Sequence, residues 1–553
     1  MELKPKSRSE IEGIVQDAIS DAVDFVEGEI SQDRIKAQRY YDGEVDLGYE
    51  DGRSKVVATK VRDTVRSVKP SLMRIFLSTA KPVEFVPHGP EDVAMAEQAT
   101  EFMHHEFTRL NGYRVMNDAF QDALVKKQGI VKAYWMTYPE AEIYTFTDLS
   151  DDEYTYLLDD DSVTVLEHTV EMTIEIDPMG MEIQLPIHSV KLSRQKEMGE
   201  LCIQSVPPEE FFINRDARSM EDAYVVAHRT DMRAGDLIAM GYDPDVVLKL
   251  DSFESGSDIT EAEVFERQGY SSDTSDEDQE DPSMRNVAVT EAYMRIDVDG
   301  TGVPVLHKIT CGGTAYEMLD FEPCDELPFA KFEIDPEPHT FYGRSLAEIV
   351  MDDQDAATSV LRSILDNVAM TNNPRLGIVE GAVNIDDVLN NEIGAIVRMR
   401  APGSVQELSV PFTAGQTLGA LTYLDGLVES KTGVSRASMG LDPDAMQSTT
   451  KAAVQATVQA AAGQVEVMVR NLADGMRDLF GIMLRLSSKN VDEEQMMRMN
   501  GMFVPVDPRV WDQSMDVTIN VGLGTGREEE RAMALNQALQ MQTMVYQNYG
   551  PMN

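Results

Sequence analysis

Apolar residues recur at helical spacing over residues 9–41, with Ile11, Ile14, Val15, Ala18, Ile19, Ala22, Val23, Phe25, Val26 and Ile30 separated by acids. That spacing predicts an amphipathic helix, closed by Tyr40-Tyr41 and the turn at Asp42-Gly43. Residues 55–77 repeat the pattern with Val56, Val57, Val61, Val65, Val68, Leu72, Ile75 and Phe76. The opposite face of this second helix carries Lys55, Lys60, Arg62, Arg66, Lys69 and Arg74, the one strongly basic stripe of the chain. Pro82, Pro87 and Pro90 predict an extended piece, followed by helices over 91–109 and 114–128 and a strand after Gly129. The acidic stretch 149–161 reads as a solvated edge, and the partial alternation over 163–206 predicts meandering strands. A helix over 231–242 is expected, with Thr230 or Asp231 as its N-cap.

Residues 271–283 hold six acids and no apolar side chain, which predicts a mobile loop and the clearest internal boundary. A small β unit follows over 286–334. The most regular apolar stripe comes next: Leu346, Ile349, Val350, Ala357, Val360, Leu361, Ile364, Leu365 and Val368, over a helix from Ser345 to Asn372 stopped by Asn373-Pro374. At 1.5 Å per residue it is about 42 Å long and reads as a strut. Short strands and turns are expected over 375–413, then helices at 416–431 and 448–489, the latter rich in Ala at its start. A strand at 515–521, a turn at Gly522, Gly524 and Gly526, and a helix over 527–546 complete the chain, with no internal repeat.

Helices and strands in these blocks predict an α+β, multidomain chain, and 553 residues suit about three to four structural units. Charge changes the picture more than length does. The chain has 48 Lys and Arg against 97 Asp and Glu, a formal net charge of −49. Such a field repels phosphate, which excludes wrapping of nucleic acid and disfavours an anionic membrane surface. It leaves open a surface past which DNA moves without sticking. Three cysteines, Cys202, Cys311 and Cys324, exclude a disulfide scaffold and a four-thiolate zinc site. With no apolar signal segment and no apolar run of 18 residues, the expectation is a soluble protein made in the cytosol.

Candidate chemistry is sparse. Gly522-x-Gly524-x-Gly526 departs from a dinucleotide fingerprint, and the glutamates after Arg527 would repel a pyrophosphate. His104 and His105 point about 100° apart on a helix, so they do not share one ion. Asp352, Asp353 and Asp355 resemble a divalent-metal cluster only in composition, since a helix turns them apart. The sequence therefore assigns no catalytic residue, no cofactor and no metal.

Three stretches carry a family resemblance: SVPPEEFFINRDARSMEDAYVV at 205–226, FYGRSLAEIVMDDQDAATSVLRSILDNVAMTNNPRLGI at 341–378, and NVGLGTGREEERAMAL at 520–535. With the order of elements around them, they resemble the portal proteins of tailed bacteriophages, most of all those of short-tailed phages. The resemblance implies a portal-like fold: a mixed α/β wing at 1–230, a first stem helix and acidic linker at 231–285, and a β-rich clip at 286–344. A second stem helix at 345–374, a wing and tunnel-loop region at 375–447, and a long inner helix with crown at 448–553 complete it. It also implies a homo-oligomeric ring, typically of twelve subunits, set in the major capsid protein at one virion vertex and assembled in the host cytoplasm. Double-stranded DNA passes through the axis, and the terminase motor and a head-tail adaptor dock on the outer end. On this reading Glu348, Asp352 and Asp355 are candidates for the channel lining, and Arg62, Arg66 and Lys69 for pairing across the subunit interface. The rival readings are an acidic scaffold or adaptor that forms no ring, and a metal-dependent nuclease built on Asp352, Asp353 and Asp355.

Overall fold

The computed structural model describes residues 4–48, 52–77, 82–87, 89, 92–158, 163–176, 182–252, 258–269, 281–390, 392–433, 451–491, 494–499 and 502–519. Most of the expected acidic loop, the glycine turn at 522–526 and the helix over 527–546 lie outside them.

The first rod is α1 (Arg8–Phe25) and α2 (Ser31–Asp42), joined without a break by a π-turn over Val26–Ile30. A π-turn adds one residue to the ladder and so rotates the buried face. The effect is visible in packing. Ile11, Val15, Ile19 and Val23 of α1 cover one core, whereas Ala37 and Tyr40 of α2 belong to another. Gly43 ends α2 in the left-handed region (φ 78°), as the Asp42-Gly43 pair predicts. The basic helix α3 (Lys60–Leu77) starts five residues later than expected. Residues 55–59 lie outside the helix, and Arg362 donates to the carbonyls of Lys55 and Val56 there.

β1 (Val83–Val86), α4 (Val93–Arg109) and α5 (Gly112–Val125) follow. β2 (Gly129–Leu149) is far longer than the sequence suggests, and the acidic stretch after it is a helix, α6 (Asp151–Leu158), not a bare edge. The expected meander is two long strands, β3 (Val163–Ile176) and β4 (Glu182–Val206). β5 (Phe211–Ile213) and β6 (Val225–Arg233) come next. The helix expected at 231–242 is corrected. Asp231, Met232 and Arg233 continue β6, pairing with Ala288, Val287 and Asn286, so α7 is only Ala234–Ala239. With α8 (Pro244–Val247) and α9 (Asp258–Gln268), the stretch placed as a first stem helix is three short helices.

β7 (Asn286–Ile296), β8 (Val305–Gly312) and β9 (Glu317–Pro323) complete an antiparallel sheet of order β5-β6-β7-β8-β9. β10 (Phe329–Phe332) instead pairs with β2, in a sheet of order β10-β2-β4-β3. Both sheets draw strands from residues before 234 and from 286–332. Then come α10 (Leu346–Asn372), β11 (Arg375–Ile378), α11 (Ile385–Leu389), β12 (Val405–Leu408) and α12 (Ala414–Thr432). The last long helix is α13 (Lys451–Asn490), followed by β13 (Gln495–Met499), β14 (Met502–Val506) and β15 (Asp516–Ile519), which pairs with β1.

The main core gathers α3, α4, α5, β2, β10, the start of α10 and the second half of α13, with Phe76, Phe120, Phe332 and Phe480 fully buried. Gly475 lets α13 lie on β10: a Cβ there would strike the Lys331 carbonyl and the Phe332 ring. The two sheets are tied by Lys132 of β2, which forms an ion pair with Glu291 of β7. Lys308 adds a second contact at 3.3 Å, and the Tyr293 hydroxyl donates to Glu291 at 3.0 Å. Burial alone would raise the Glu291 carboxyl, but Lys132 and then Lys308 outweigh it and hold it at about 2. A lowered carboxylate stabilises the fold above its ordinary range near 4.5 and loses that contribution as pH falls towards 2. Glu291→Gln is therefore expected to flatten the loss of stability between pH 4.5 and 2.5 seen in wild type. The difference, of order 1–3 kcal/mol, is read by chemical denaturation at stepped pH.

Candidate functional site

α10 begins at a reciprocal cap. The Glu348 N–H donates to the Ser345 hydroxyl at 3.1 Å, and the Ser345 N–H donates to Glu348 Oε2 at 2.9 Å. Two amides that a helix start leaves open are thereby satisfied. Lys127 reaches Glu348 and Asp33, each at 2.8 Å, so Glu348 is an engaged side chain. Asp352 is exposed. Asp353 is buried and pairs with Lys431 of α12 at 2.7 Å. Asp355 accepts the Tyr40 hydroxyl at 2.8 Å, and burial followed by Asp355 pushes that phenol up to about 12. Among the described residues no group of three or more His, Cys, Asp or Glu is placed to hold a metal ion. The Asp352, Asp353 and Asp355 run is thus divided between solvent, Lys431 and Tyr40.

Two contacts define how α10 and α12 run. Near one end Asp353 meets Lys431; near the other Asn367 meets the start of α12. The helices are therefore antiparallel, a hairpin about 40 Å long on the α10 side. The Asn367 side-chain N–H donates to the Pro411 carbonyl at 3.0 Å, and its oxygen accepts the Thr413 and Ala414 amides at 2.9 and 3.1 Å. α12 is capped by a residue of its partner helix rather than by its own Thr413, which makes no side-chain cap.

Residues 373–413 form the tip of this hairpin. β11 pairs with β12, Val383 bridges Met399, and Asp387 holds Arg398 at 2.6 Å. Among its described residues the tip buries no hydrophobic side chain, while Val379, Leu389, Ile393, Ile396 and Phe412 stand exposed, Ile393 completely. Sequence reasoning placed strands and turns here and missed that surface, because its apolar residues follow no single period.

The basic stripe of α3 is divided. Lys60 pairs with Asp425 of α12. Arg62 caps the preceding helix, donating to the Tyr41 carbonyl at 2.8 Å and to the Asp42 carbonyl. Arg66 is exposed, and Lys69 is half-buried with its ammonium 3.2 Å from the Gln121 carbonyl oxygen. Of the three expected interface cations, Arg62 is thus committed within the chain and the other two face a common cavity.

The profile of the phage SU10 portal protein family matches residues 11–553, nearly the whole chain. The chain belongs to that family. It is a phage portal protein, a component of the virion connector and of DNA packaging. Portal proteins of this family are generally structural rather than enzymatic. No curated protein matches the chain closely. Among the described residues no helix is long and apolar enough to cross a membrane.

The Asn367 cap gives a test of the hairpin. Asn367→Ala should lower stability by about 1–2 kcal/mol and speed amide exchange over residues 411–417. Asn367→Asp, which keeps the acceptor beside a helix N-terminus, should retain most of the protection.

Proposed function

We propose that copies of this portal protein close into a ring of twelve at one capsid vertex, with the α10–α12 hairpins around the axis. The observation that carries this reading is the 373–413 tip. Among the described residues its apolar side chains stand exposed, and the head-to-tail contacts of a ring would cover them with a different face of the neighbour. The tip, not residues 286–344, is then the part offered to the terminase motor and the head-tail adaptor. The major capsid protein surrounds the remaining body. Double-stranded DNA passes through the bore during packaging and ejection.

Charge supports the same reading. A −49 subunit repeated about an axis makes a negative bore that a polyanion does not grip. Asp352 is the lining candidate that faces solvent, whereas Glu348 and Asp355 contribute charge while held by Lys127 and Tyr40. Twelve copies of a 61.6 kDa chain make a particle of about 740 kDa.

Mass photometry of the purified chain is expected to show that particle, and negative-stain images a central hole. Replacing Ile393 and Ile396 with Asp should shift the population to single chains while the circular dichroism of the subunit stays unchanged. A chain that remains a monomer at every salt concentration, or a variant that assembles as well as wild type, overturns the proposal.

A further inference from the structure

A second surface of the molecule is built for a partner. Between α2, α3 and α5 lies a cavity of about 590 Å³. Arg66, Lys69 and Arg74 of α3 supply its charge, and Tyr41 and Tyr113 form two of its walls. Asn117 and Gln121 of α5 add side-chain amides, and Met73 and Pro70 complete the lining. No carboxylate lines it. In a chain with twice as many acids as bases, three cations around one cavity without an acid is the reverse of the general pattern.

The cations there are also unmatched. Among the described residues Arg66 and Arg74 have no hydrogen bond or ion pair, unlike Lys60 and Arg62 on the same helix. Lys69 touches only the neutral Gln121 among the lining residues. Burial pushes its ammonium down, and Asp118 and Asp122, which act on it from α5 outside the lining, do not restore it. A carboxylate entering the cavity would meet one half-buried ammonium, two guanidinium groups and two aromatic walls.

We propose that this cavity is a socket for an acidic segment of the neighbouring copy in the ring. The inference rests on the ring reading and adds to it a named point of contact. Copies that each carry −49 repel one another, so their interface needs places where cations of one copy meet carboxylates of the next. A DNA phosphate is the weaker occupant. The site is an open concavity in which two tyrosines stand among the cations, and the surrounding acid excess repels duplex. The tip of the α10–α12 hairpin supplies apolar area; this socket supplies electrostatic register.

The experiment uses the full-length chain. Arg66 and Arg74 are exposed, so Arg66→Glu with Arg74→Glu leaves the core untouched, which thermal unfolding of the subunit verifies. The double variant is expected to raise at least tenfold the chain concentration at which half the material is in rings. Tyr113→p-benzoylphenylalanine, on the cavity wall, is then photolysed in rings assembled from mixed ¹⁴N and ¹⁵N chains. Crosslinks joining a light peptide to a heavy acidic peptide are the expected result. If wild type forms rings but the double variant assembles equally well, or the crosslinks stay within one chain or go to added DNA, the socket is overturned and the ring stands. If wild type forms no ring at all, the ring reading fails first and the socket with it.

Discussion

Between the apolar cores, the elements of this fold are held under a shortage of cations: 97 carboxylates stand against 48 Lys and Arg. Most of the well-placed ones sit where two elements far apart in sequence meet. Lys132 joins one sheet to the other through Glu291, Lys127 joins α2 to α10 through Asp33 and Glu348, and Arg229 joins β6 to the π-turn through Glu27 at 2.9 Å. A denser knot lies under α9, where Arg34, Lys126 and Arg267 face Glu209 and Glu263. Burial works against every charge in that knot. It pushes Glu263 up, and Asp122 beside it to about 7, yet Lys126 and Arg267 keep Glu209 below its ordinary value. Removing one partner from such a group strands the others in a poor solvent, so these contacts fix how the elements are arranged more than they add net stability.

The sequence reveals what local signals encode and hides what depends on distant partners. α10 is legible almost to the residue, because Ser345-x-x-Glu348 marks its start and Asn373-Pro374 its end, with an unbroken apolar stripe between. α6 also carried a local sign, since Ser150 and Glu153 form the same reciprocal cap, but its acids masked it. The division between β6 and α7 could not be read locally. Thr230, Asp231 and Met232 have the look of a helix start, and only their pairing with β7, more than fifty residues on, makes them strand. The site divides the same way. The basic stripe on α3 is evident from its period, but that Arg62 serves two backbone carbonyls while Arg66 and Arg74 stay unmatched depends on how α2 and α5 pack.

Membership of the portal family gives the chain its role, and the fold shows where that role places demands. Two surfaces of opposite character are exposed at once: an apolar tip on a long hairpin and a cationic socket on the body. Apolar contact is indifferent to direction, whereas a charged socket accepts only one orientation of its partner. A ring built with both has adhesion from one and phase from the other.

Asn367 has a mechanical consequence. Because α10 supplies the cap of α12, neither helix can slide along the other without leaving the Thr413 and Ala414 amides bare. At the opposite end Lys431 grips the buried Asp353, so sliding is blocked there as well. The pair must swing as one stiff lever. Any displacement of the tip is thereby passed along both helices together towards Gly433, where the chain leaves α12 through a left-handed turn.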